Sequence, residues 1–140
     1  MAKKSKAKRV WMFAPAKAPK AKVTEEIKRQ VEETTNKLLD EWKTKYIQAP
    51  PKDPELNYIL DLYSTWYRCY LYFCAKYACP SPMAIAPFFE DRYSRLEYIG
   101  ENRFNLAFMR HTGQWIETHC DLTLDECIEA MKLDPFYHPS

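Results

Sequence analysis

Glycine is almost missing from this chain: Gly100 and Gly113 are its only two in 140 residues. A phosphate-cradling loop needs several glycines to bring its N–H groups round an anion, so that class of nucleotide site is excluded. The cysteines, Cys69, Cys74, Cys79, Cys120 and Cys127, are odd in number and contain no C-x-x-C pair. A zinc site of usual spacing and a secreted disulfide framework are both disfavoured. His119-Cys120 with Cys127 is the one grouping of metal-ligating types, and its spacing fits no zinc pattern, so no metal and no cofactor is expected. There is no G-x-S-x-G and no Cys/His nucleophile signature. The N-terminus lacks the apolar h-region of a signal peptide, which points to a reducing cytosol and mostly packed thiols. No internal repeat is visible.

Acid is missing from residues 1–22, which hold eight basic residues: Lys3, Lys4, Lys6, Lys8, Arg9, Lys17, Lys20 and Lys22. The remaining 13 basic and 19 acidic residues leave the body at −6, so a basic Lys/Ala/Pro arm precedes an acidic single domain over residues 23–137. Such an arm contacts nucleic acid through phosphates by counterion release and carries no base specificity. A solubilising tail, or one lying on the acidic body, is an equally weighted alternative. Val10-Trp11-Met12-Phe13 interrupts the arm as an apolar docking patch.

What is plentiful is aromatic. Asn57–Cys79 carries Tyr58, Tyr63, Trp66, Tyr67, Tyr70, Tyr72, Phe73 and Tyr77 against three charges, Asp61, Arg68 and Lys76. With Asp53 as N-cap, Pro54 at the first position and Cys79-Pro80 as the stop, the pattern predicts a long central helix over about 54–78. Apolar all round, it must be wrapped by other elements. Each of its charges costs about 2.5–3.5 kcal/mol near a bilayer centre, which argues for a core helix and against a membrane span. On that helix Asp61 and Arg68 share a face and need charged partners such as Arg95 and Glu97.

Around it, Thr24 caps an amphipathic helix of about 22 residues with Ile27, Val31, Thr34, Leu38, Trp42 and Tyr46 on one stripe. Pro80–Pro87 is a loop. Tyr93–Ile99, Arg103–Arg110 and Gln114–His119 read as a three-stranded antiparallel meander, with turns at Gly100-Glu101-Asn102 and His111-Thr112-Gly113. Thr123 and Glu126 form the capping box of a short last helix that ends at Asp134-Pro135, leaving residues 136–140 as a tail. The class is α+β.

The segments Asn57-Tyr58-Ile59-Leu60-Asp61-Leu62-Tyr63, Trp66-Tyr67-Arg68, Arg95-Leu96-Glu97-Tyr98 and Arg110-His111-Thr112-Gly113-Gln114-Trp115 are similar to those of a family of small uncharacterised bacterial proteins of unknown function. The resemblance covers most of residues 10–137. It implies a bacterial origin and a coherent fold, and it transfers no catalytic residue.

Arg110-His111-Thr112-Gly113-Gln114-Trp115 is the sharpest polar group: guanidinium, imidazole and indole suit an anion or a nucleotide base, while the plainer alternative is a hairpin with Trp115 packed cross-strand. The expected function is a non-enzymatic binding module touching nucleic acid through the arm. The alternative is a small-ligand or protein-interaction domain with a pocket of Tyr63, Tyr67, Arg68, Arg110, His111 and Trp115. An enzyme using His111 with Arg68 and Glu90 is a distant third.

Overall fold

Thr24 starts the first regular element because its hydroxyl accepts the Ile27 N–H at 3.2 Å, while Glu25 and Glu26 sit at the positive end of the helix dipole. The computed structural model describes residues 21–53 and 55–139. In it α1 runs Glu25–Tyr46, as the periodicity requires, and buries Val31, Thr35, Leu38, Leu39 and Trp42. Thr35 takes the buried place expected of Thr34, and its hydroxyl donates to the Glu32 carbonyl at 3.4 Å.

The central helix does not exist. Residues 58–78 form an antiparallel hairpin, β1 (Tyr58–Tyr67) and β2 (Tyr70–Ala78), closed by Arg68-Cys69. Asp53 makes a turn instead of a helix cap: its carboxylate accepts from Glu55 N at 2.9 Å and its carbonyl from Leu56 N at 3.3 Å. Asp61 and Arg68 therefore share no helix face. Asp61 reaches Lys43 of α1 at 4.0 Å, and Arg68 occupies the turn.

The physical reason is that Tyr, Trp, Phe and Ile favour the pleated surface. Moreover, β2 is buried on both faces, with Leu71, Phe73 and Ala75 alternating with Tyr72 and Cys74. Such a strand reads as a continuous apolar run, without the alternation of a half-buried one.

The hairpin extends the expected meander to five strands in the order β1-β2-β3-β4-β5, with β3 Phe88–Gly100, β4 Arg103–Met109 and β5 Trp115–Thr123. The expected turns hold. Glu101 and Asn102 both take positive φ, as a two-residue type I′ loop requires, and Gly113 sits at φ 84°. The capping box opens α2 (Leu124–Leu133): Thr123 N donates to the Glu126 carboxylate at 2.8 Å, and Glu126 N to the Thr123 hydroxyl at 3.2 Å.

One face of the sheet carries the core. Leu62, Leu71, Phe73, Leu96, Phe104 and Leu106 meet Val31, Leu38, Leu39 and Trp42 of α1 and Cys127, Ile128 and Met131 of α2. Residues 136–139 are no loose tail, since Pro135–Tyr137 form a 3-10 turn that buries Tyr137 completely. The Tyr137 hydroxyl bonds the Thr118 hydroxyl, and His119 Nδ1 lies 3.1 Å from it. Cys69, Cys74 and Cys127 are buried, Cys120 is exposed, and no disulfide joins cysteines among the described residues.

Candidate functional site

Both helices pack on one face, so the other is left uncovered among the described residues. Alternation along each strand and the pairing register decide what stands there. Tyr63 and Tyr67 come from β1, Tyr70, Tyr72, Cys74 and Lys76 from β2, Glu90, Arg92, Arg95 and Glu97 from β3, Ala107 from β4, and Trp115 and Glu117 from β5.

Arg92 and Arg95 are three apart, an odd spacing that a regular strand sends to opposite faces. A bulge resolves this: Phe73 pairs with Ser94 but Cys74 with Arg92, so Tyr93 is the extra residue and both arginines face the uncovered side. Tyr93 itself turns into the core, stacked 6.5 Å from Phe73 and tilted 6.0 Å from Trp42.

The two guanidiniums knit the rings together. Arg92 lies 4.3 Å above Tyr72, and Arg95 lies 4.7 Å from Tyr70 and 4.7 Å from Trp115. Tyr70 stacks on Tyr72 at 5.9 Å, and Trp115 tilts against Tyr72 at 5.6 Å. Tyr72 is only 7% exposed although no helix among the described residues lies over it, because arginine and indole cover it. The outermost layer is thus a set of flat cations on aromatic supports, each contact contributing about 0.5–1 kcal/mol at an exposed site.

Beside this lattice lies a hollow of about 500 Å³ lined by Tyr63, Thr65, Cys74, Glu90, Asp91 and Arg92. The Tyr63 hydroxyl donates to the Glu90 carboxylate, and burial followed by that bond raises the phenol's pKa well above its usual value. Burial likewise raises the Cys74 thiol, with Arg92 pulling the other way, so Cys74 is a floor and a poor nucleophile.

The residues expected from sequence divide into two groups. Tyr63, Tyr67 and Trp115 do share the uncovered face; Tyr67 is 56% exposed, with Arg68 5.2 Å over its ring. Arg68, however, sits in the β1–β2 turn, whereas Arg110 and His111 sit in the β4–β5 turn. An antiparallel meander puts its first and fourth turns at opposite ends: Tyr70 is level with Asn105 through Glu97, and Arg110 lies five residues further along, about 16 Å at ~3.3 Å each, and two strands across the sheet. Arg68, Arg110 and His111 are not brought together, and Glu90, bonded to Tyr63, is not assembled with His111 and Arg68.

Arg110 and His111 instead border a cleft of about 720 Å³ on the other side of that end, with Asp91, Tyr93, Phe108, Phe136 and His138. His138 Nε2–H donates to the Met131 carbonyl at 2.7 Å, and its Nδ1 accepts the Tyr46 hydroxyl at 2.6 Å. Lys22 is exposed, while Lys3, Lys4, Lys6, Lys8, Arg9, Lys17, Lys20 and the Val10–Phe13 patch lie outside the described residues. Tyr70 and Tyr72 escape a helical reading, and Arg92 and Arg95, outside that helix, are set on one face only by the bulge at Tyr93. The alternation Tyr70, Tyr72, Cys74, read as a strand, is the signal that finds the first two.

Among the described residues no group of three or more His, Cys, Asp or Glu side chains gathers as a metal site, and no helix is long and apolar enough to cross a membrane. No curated protein and no solved structure matches the chain. A family model described as a domain of unknown function (DUF3024) does match, over residues 17–138, and the chain belongs to that family.

Proposed function

We propose that this protein is a non-enzymatic module that binds single-stranded nucleic acid across the uncovered sheet face, with the basic arm adding phosphate contacts. The observation that carries the proposal is the lattice of Arg92 and Arg95 on Tyr70, Tyr72 and Trp115. Unpaired bases stack on aromatic rings and on guanidinium planes, and stacking tolerates any sequence because every base has a π-face. Tyr63 and Glu90, in the hollow beside the lattice, offer polar atoms to base edges. Lys22 and the seven basic residues before it supply charge without sequence preference. The buried thiols suit a reducing cytosol.

The test is fluorescence anisotropy of a labelled 15-mer of thymidylate at two salt concentrations. Stacking contributes about 1–3 kcal/mol per base, so Arg92→Ala with Arg95→Ala should weaken binding by about tenfold or more. Removing residues 1–22 should flatten the salt dependence, each lost phosphate contact lowering the slope by about 0.7 on a single strand. Unchanged affinity in the folded double variant sinks the sheet-face proposal, and an unchanged slope removes the arm from it.

A second reading, protein docking on the same face, is favoured by the exposure of Tyr67 and Phe88 at 56% and 50%. It gains if the oligonucleotide fails to bind and Tyr67→Ala abolishes capture by a specific partner.

A further inference from the structure

The cleft beside the β4–β5 turn is not part of the uncovered face, and its side chains, apart from Asp91, which also borders the hollow on that face, are unexplained by oligonucleotide binding. We infer that it is a second site, for a mononucleotide whose base carries an exocyclic amine. Three features converge on that chemistry.

The turn is a donor cluster. Arg110 and His111 are exposed beside the cleft, Arg110 N donates to Gln114 O at 2.8 Å, and Gly113 N donates to Arg110 O at 2.9 Å. Both side chains line the cleft, which leaves a guanidinium fork and an imidazole to donate to the oxygens of a phosphate. A carboxylate, with two oxygens in one plane, uses fewer of them.

Phe136 is the plate. It is 68% exposed and stacks on Phe108 at 5.1 Å with 20° between the ring planes, so one side is supported and the other is open for a base. The third feature is Asp91, across the same cleft, which makes no ion pair among the described residues and accepts hydrogen bonds only. It selects an amine on the base edge and repels a second phosphate. His138 contributes wall and no donor, since both its nitrogens are engaged. A cleft of about 720 Å³ falls within the range of small-molecule sites and is too small for a folded partner.

The experiment is calorimetric titration of the full chain with AMP, adenosine, IMP and inorganic phosphate. Hydrogen bonds to charged groups support about a tenfold preference for AMP over both adenosine and phosphate, and a several-fold preference over IMP, which lacks the amine. Arg110→Ala, at an exposed position, should keep the native Tm and lose about tenfold in AMP affinity, and Asp91→Asn should narrow the gap between AMP and IMP. A saturating thymidylate 15-mer should leave AMP affinity unchanged. The inference is overturned if AMP does not bind, if it binds no better than adenosine or phosphate, if Arg110→Ala is without effect, or if the 15-mer displaces it.

Discussion

Arg68 holds a φ of 56° at the first position of the β1–β2 turn, a place where glycine is the usual residue. A left-handed backbone costs an L-residue about 1–2 kcal/mol, and a β-branched side chain tolerates it least. Arg68→Val should therefore lose about 1 kcal/mol or more in urea unfolding, while Arg68→Gly holds or gains. Equal losses for both would show that the arginine's contact with Tyr67 matters more than its backbone.

The thiols offer a second check. Burial pushes Cys127 up to about 12, and it raises Cys120 as well, with Glu117 next in effect. Access then decides the order, so brief iodoacetamide treatment of the native chain should label the exposed Cys120 first, more slowly than after denaturation, and spare Cys127. Early labelling of Cys127 would show that α2 opens readily.

Helix ends were legible in the sequence because their signals are local. Thr24 and Thr123 bond backbone within three residues, and a side chain that short either finds that N–H or does not. The hairpin of β1 and β2 was illegible for the converse reason: its turn is Arg68-Cys69, with no Gly, Asn or Asp, and both faces of β2 are buried. The bulge at Tyr93 leaves no mark in the sequence either, yet it alone puts Arg92 and Arg95 on one face.

At α2 the capping box predicts a pH effect with a definite sign. Thr123 N–H, and then the Thr123 side chain, hold the Glu126 carboxyl below its ordinary 4.5. A carboxyl depressed by folding stabilises the native state above 4.5 and loses that contribution as pH falls through its folded value. The stability difference between wild type and Glu126→Gln should shrink steadily below pH 4.5, and a difference independent of pH would deny the ionised carboxylate a role in the cap. Thr123→Ala, which removes the hydroxyl acceptor and one of the bonds that lower the Glu126 carboxyl, should cost about 1 kcal/mol at neutral pH and less in acid.

The α+β class emerges correctly from the sequence because the two helices and the last three strands each carry their own pattern, and the hairpin joins the sheet without altering the class. Two residues of the candidate pocket stand on one sheet face for a weaker reason. Tyr63 and Tyr67 share a face under a helical period of about 3.6 and under a strand period of 2, since a spacing of four satisfies both. Arg68 loses its place because it is one residue further on.

The C-terminus is where local reading failed most. A short segment after a proline looks like a tail, but Tyr137 is 0% exposed, edge-on to Phe108 at 5.9 Å, and bonded to Thr118 on β5. It ties the end of the chain to the last strand and, through its neighbour Phe136, holds one wall of the nucleotide cleft. Removing a buried aromatic ring costs about 3–5 kcal/mol, against a total of about 5–15 kcal/mol for a domain. Tyr137→Ala should therefore lower the denaturation midpoint steeply, while Tyr137→Phe, which keeps the ring and leaves the Thr118 hydroxyl its bond to the Leu106 carbonyl, should cost only about 1 kcal/mol. A loss below about 0.5 kcal/mol for the alanine variant, the range of ordinary surface changes, would place the C-terminal turn outside the core and take the cleft's aromatic wall with it.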